Sequence, residues 1–91
     1  MTHTIHEKQK LINRVRRLRG QMDGIERMLD EEKGCAEVMH AIAAVRGAIN
    51  GLMGEVIEDH IRMHVADAAL PQSERDEGAE ELIDVLRSYL K

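Results

Sequence analysis

The chain has 91 residues, one cysteine, one tyrosine, no phenylalanine or tryptophan, and a net charge of −4. That length gives one small domain, 1–91, with an aliphatic, methionine-containing core, a size at which assembly often supplies the missing stability. A lone cysteine excludes an intramolecular disulfide and suits a reducing cytoplasm. No run reaches the ~18 apolar residues of a membrane span, and no signal peptide opens the chain, so a cytoplasmic protein with no membrane partner is expected.

The charge is unevenly spread. Residues 1–20 carry six basic groups against Glu7 alone, a balance of +5, whereas residues 21–91 carry seven basic and sixteen acidic groups, a balance of −9. An acidic protein with one concentrated basic segment suggests an anionic partner met by that segment. The plainer alternative is a solvated helix face.

In chain order, Thr4 with Glu7 three residues later forms a capping box, and a helix is expected from Ile5 to about Glu31. Its apolar residues Leu11, Val15, Leu18, Met22, Ile25 and Leu29 are spaced 4, 3, 4, 3, 4, a coiled-coil seam. Gly34 is expected to supply the turn that ends it. A second helix over 35–65 repeats the spacing through Val38, Ile42, Val45, Ile49, Leu52 and Val56. At about 100° per residue, Cys35, His60 and His64 fall on or beside its apolar stripe. Gly47, Gly51 and Gly54 lie behind that stripe, which reads either as a close-approach surface or as one that tolerates glycine. Residues 67–73, with Pro71, form a break. A third, short helix places Ala79, Leu82, Ile83, Leu86, Tyr89 and Leu90 on one face. The expected fold is therefore all-α: a long antiparallel hairpin plus a short C-terminal helix. Two sustained seams in so small a chain call for a helical dimer or tetramer.

A hairpin turning at 33–34 sets side by side the residues whose numbers sum to about 67. His3 then lies beside His64, with His60 one turn away on the same face. Cys35 cannot join them within one chain, since 25 helical residues separate it from His60 by roughly 37 Å. Antiparallel pairing of this helix with its copy would carry each Cys35 to the histidines of the other chain and create two equivalent sites. A buried cysteine and two polar histidines near a helix end have ordinary structural readings one by one; their convergence points to a metal. One thiolate with imidazoles suits cobalt, nickel and zinc, and an added N-terminal amine would favour Co2+ or Ni2+ over tetrahedral Zn2+. His6 and His40 do not fit this geometry and read as surface residues.

On the first helix, Lys10, Arg14 and Arg17 form a stripe on one flank of the seam. Lys8 and Arg19 lie on the other flank, Arg16 points outward, and Arg46 on the second helix is a further candidate contact. No helix-turn-helix or zinc-finger pattern is present, so double-stranded DNA would be held through phosphates and shape.

The segments RVRRLRGQ (14–21), Cys35, IAAVRGAINGLMGEVIEDHI (42–61) and the closing RSYLK resemble the CsoR/RcnR family of small all-helical transcriptional repressors. That resemblance implies a homotetramer built as a dimer of dimers, which binds operator DNA when unliganded and releases it on binding an effector. The nickel/cobalt-sensing RcnR branch implies the ligand set His3, Cys35, His60 and His64, with Thr2 providing the N-terminal amine. RVRRLRGQ is closer to the formaldehyde-sensing FrmR branch, which pairs an N-terminal Pro with the Cys where this chain has Thr2. The copper(I) and persulfide branches carry a second Cys that this chain lacks. The resemblance implies DNA contacts for Arg14 and Arg17. Two alternatives stay open: a repressor whose Cys35 reacts with an aldehyde, and a helical metal-binding protein with no DNA role. No nucleophile–base pair marks an enzyme.

Overall fold

Three α-helices and no strand make up residues 7–90, the part of the chain that the computed structural model describes. They are α1 (Lys8–Asp30), α2 (Cys35–His64) and α3 (Gln72–Tyr89). The described part of α1 begins three residues after the expected Ile5. The Thr4 cap and His3 lie outside the described residues. Glu7 flanks α1 and accepts the Leu11 N–H on its carbonyl at 3.0 Å, with no side-chain cap bond of its own.

The turn after α1 departs from the expected glycine-led one. Lys33 N–H donates to the Met28 carbonyl at 2.9 Å and Glu32 N–H to Leu29 at 3.2 Å, the double closure of a Schellman motif. The left-handed position falls on Glu32, at φ 55°, and no described glycine has positive φ. Because α1 ends at Asp30, Gly34 comes too late to serve as that residue. Its carbonyl instead accepts the Val38 N–H as α2 begins. Glu32 thus combines a strained backbone with a negative charge at the negative end of a helix dipole. Glu32→Gly is expected to stabilise the protein by about 0.5–1 kcal/mol. In thermal unfolding at fixed protein concentration, that is a rise of roughly 3–6 °C.

The structure divides into two compact units, Glu7–Met53 and residues 54–90, with α2 contributing to both. In the first, burial splits each heptad into two rows. On α1, Leu11, Leu18 and Ile25 turn inward while Val15, Met22 and Leu29 stay exposed. On α2, Val38, Val45 and Leu52 turn inward, with Val45 only 6% exposed, whereas Ile42 and Ile49 keep 51% and 50% of their surface. One row of each helix closes the antiparallel hairpin. The other row faces out, so the single chain uses only half of each seam.

In the second unit, α2 ends with Val65 and Ala66 both donating to the Ile61 carbonyl. An Asx turn follows, in which Ala69 N–H donates to Asp67 Oδ1 at 2.9 Å. Pro71 then precedes the first turn of α3. The inward row of α3 is Gly78, Ala79, Leu82, Ile83 and Val85. Of the expected face, Ala79, Leu82 and Ile83 turn inward, while Leu86, Tyr89 and Leu90, toward the end of the helix, are exposed, and the buried position sequence reading passed over is Gly78. No helix among the described residues is long and apolar enough to cross a membrane.

Candidate metal centre

His60 and His64 lie one turn apart on α2, both half-buried, with ring centroids 5.1 Å apart and planes inclined by 32°. The start of α3 holds them. His60 Nε2 is 2.7 Å from the Gly78 carbonyl oxygen. A carbonyl can only accept, so Nε2 carries the proton and, in the neutral ring, the lone pair is on Nδ1. His64 Nε2 is buried.

Gly78 makes this approach possible. A Cβ at position 78 would overlap the His64 carbonyl oxygen and lie 2.9 Å from its carbon and 3.0 Å from His64 Cβ. Three residues earlier, Arg75 Nε–H donates to the Val65 carbonyl at 2.9 Å, satisfying one of the acceptors that the end of α2 leaves open. Sequence reasoning missed both residues. The available signal was Gly78 itself, a glycine at apolar spacing (four before Leu82) inside the acidic, otherwise helix-favouring run RDEGAEEL.

Of the four expected ligands, the structure therefore brings His60 and His64 together. Cys35 opens α2 as an exposed free thiol, a helix length away from the pair. His3 and Thr2 lie outside the described residues. Among those described, no three His, Cys, Asp or Glu side chains of the chain converge on a point. His40 is exposed, in keeping with a surface role. The donors that are present fit a metal. An imidazole whose one N–H is fixed on a backbone carbonyl, leaving the other nitrogen as a base, is the usual arrangement of a histidine ligand.

The basic candidates also sort by environment. Lys10, Arg16, Arg17 and Arg19 on α1 and Arg46 on α2 are exposed, whereas Arg14 is half-buried. The Arg14 guanidinium lies against Gly51, in the space a Cβ there would occupy. This agrees with the expected hairpin register to within two residues. It also divides the glycine face of α2: Gly47 and Gly54 have nothing within 4 Å of the missing side chain, so only Gly51 serves a close approach.

The family model described as "Metal-sensitive transcriptional repressor" matches residues 7–88. The chain belongs to this family. It is 44% identical over 91 residues to the transcriptional repressor RcnR of Salmonella paratyphi B, covering all of both chains. Over the same full length it is 47% identical to an uncharacterized protein in the bioA 5′ region of Serratia marcescens. Among solved structures, it is similar to a variant of the formaldehyde-responsive regulator FrmR of Salmonella enterica serovar Typhimurium. That match has a TM-score of 0.84 at 38% identity and covers 92% of this chain and 94% of the other. The family is one of transcriptional repressors and not of enzymes. Membership implies that this repressor binds DNA and responds to metal, and the three-helix chain is the fold expected from the sequence.

Proposed function

We propose that this repressor holds operator DNA in its metal-free form and releases it when cobalt or nickel is bound by His3, His60 and His64 of one protomer with Cys35 of a second. The observation that carries the reading is the His60 Nε2–H bond to the Gly78 carbonyl, which fixes a ligand-competent tautomer before any metal arrives. One thiolate and several imidazoles supply a borderline donor set for Co2+ or Ni2+, with Zn2+ served by the same atoms. The amine of Thr2, exposed if the initiator Met is removed, adds a nitrogen that favours the first two. The outward apolar rows Val15/Met22/Leu29 and Ile42/Ile49 support assembly with further copies, as a dimer of dimers. Antiparallel pairing through α2 would supply the cysteine that each protomer's histidine pair lacks.

In this reading Lys10, Arg14, Arg16, Arg17, Arg19 and Arg46 contact phosphates. Recruitment of His3 to the histidine pair would fix the chain just ahead of α1, which bears most of them. Metal and DNA are then linked by a coupling free energy, typically ~1–3 kcal/mol, or about 5–150-fold in operator affinity. The test is a titration of the metal-free protein with Co2+, Ni2+, Zn2+, Cu(I) and formaldehyde, following release of promoter DNA. Cobalt and nickel are expected to release it at the lowest free concentrations. Release by Cu(I) alone would defeat the proposal.

The exposed Cys35 thiol and the similarity to a formaldehyde-responsive regulator favour a second reading. Here the Cys35 sulfur adds to formaldehyde, and the resulting hydroxymethyl group condenses with the Thr2 amine, losing water to leave a methylene bridge. Release of DNA by formaldehyde alone, with the bridged peptide found by mass spectrometry, would establish that reading instead.

A further inference from the structure

The Arg14–Gly51 contact has no part in binding metal, yet it joins the two functional surfaces of the protein. Arg14 belongs to the basic segment, while Gly51 belongs to α2, the helix that carries Cys35, His60 and His64. The guanidinium approaches with its terminal nitrogen leading. A Cβ built at position 51 would overlap that nitrogen and stand 3.2 Å from Cζ and 3.9 Å from Nε. A glycine in a helix interior is less favourable than alanine, so the open space at position 51 costs helix stability. Gly47 and Gly54 on the same helix have no such neighbour.

We propose that Gly51 is a positioning residue for DNA binding, its missing side chain forming a seat on α2 that holds the Arg14 guanidinium ready for a phosphate. The proposal rests on the DNA-binding reading given above. A free arginine side chain must give up its rotamer freedom to hold a phosphate, and a seated one has given up much of it already. Because the seat is on α2, a movement of that helix on ligand binding would reach a phosphate contact directly through one side chain. Arg14 is the half-buried member of the basic set, whereas Arg16, Arg17 and Arg19 are exposed.

The substitution that tests this is gentle. Alanine at position 51 meets only the far end of a flexible side chain, so Arg14 swings away and the fold remains. Gly51→Ala, Arg14→Ala and the double variant would be compared as whole assembled proteins. The probe is a duplex spanning the promoter region upstream of this protein's gene, and affinity would be measured over a range of salt concentrations. Gly51→Ala is expected to keep or raise the melting temperature, because alanine is the better helix former. It is also expected to weaken DNA binding about 3- to 10-fold and to lower the salt slope by up to about 1. In the Arg14→Ala background the same change should have no further effect on affinity, the signature of two residues acting as one unit.

Equal losses in both backgrounds would overturn the proposal, since Gly51 would then act without Arg14. Tighter DNA binding by Gly51→Ala would overturn it too, because the seat would be withholding the arginine. If the unsubstituted protein binds the promoter but Arg14→Ala binds it equally well, the seat has no DNA role and the wider reading survives. If the unsubstituted protein does not bind it at all, both fail together.

Discussion

Gly78→Ala is expected to melt about 8–16 °C below the unsubstituted protein and to bind metal roughly 10- to 100-fold more weakly. The atoms in the way are the carbonyl group and Cβ of His64, which cannot swing aside as a side-chain tip can. Either α3 moves off the end of α2 or the last turn of α2 distorts. Overpacking of this kind costs ~1–3 kcal/mol, and the temperature range above corresponds to about 2 kcal/mol in a chain of this length. Both relaxations also pull the Gly78 carbonyl from His60, releasing the ring to rotate and change tautomer. Gly47→Ala is the control, since its Cβ would enter open space and should stabilise the helix by up to ~1 kcal/mol. Calorimetry and cobalt titration of the two variants would refute the α3 clamp if they behaved alike.

The second large effect is a rescue. Cys35→Ala and His64→Ala, taken singly, should each lose more metal affinity than the ~10- to 100-fold typical of changes beyond the ligands themselves. Mixed, unfolded together and reassembled, they should regain one intact site in every mixed dimer. The histidines of the Cys35→Ala chain would then work with the cysteine of the His64→Ala chain. Random pairing makes about half of the dimers mixed, so about one quarter of the original sites should return at full affinity. Recovery is the discriminating outcome, because a site built within one chain has nothing to regain by mixing. A mixture that titrates as the sum of its two components would rule out the shared site.

Much of the architecture was legible because helical periodicity is a local signal. The 4, 3, 4 spacing from Leu11 to Leu29 and from Val38 to Val56 placed both long helices, and Pro71 marked the break before α3. The turn was misread at Gly34 because a glycine signals where left-handed backbone is easy, not where the last hydrogen bonds of α1 close. Those bonds put it on Glu32. Gly78 on α3 was passed over for a related reason. Large apolar residues such as Leu86 and Tyr89 drew attention away from Gly78, whose burial depends on the absence of a side chain. At the candidate metal centre, the i, i+4 pairing of His60 and His64 followed from their numbers alone. The carbonyl that orients His60 belongs to a backbone 18 residues away, and no sequence pattern encodes which backbone atom a ring will meet.

The split heptads would have a consequence for how the protein lives in a cell. If the outward half of each seam is covered by another chain, as proposed above, folding free energy is drawn partly from association and the native population depends on copy number. In a dimerising system each tenfold dilution removes about 1.4 kcal/mol per mole of dimer. On the tetramer reading, chains present at few copies would spend more time as lone hairpins with Val15, Met22, Ile42 and Ile49 uncovered, the form in which quality-control proteases find apolar segments. Such a regulator would set a floor on its own useful abundance, below which degradation rather than ligand binding would empty the operator.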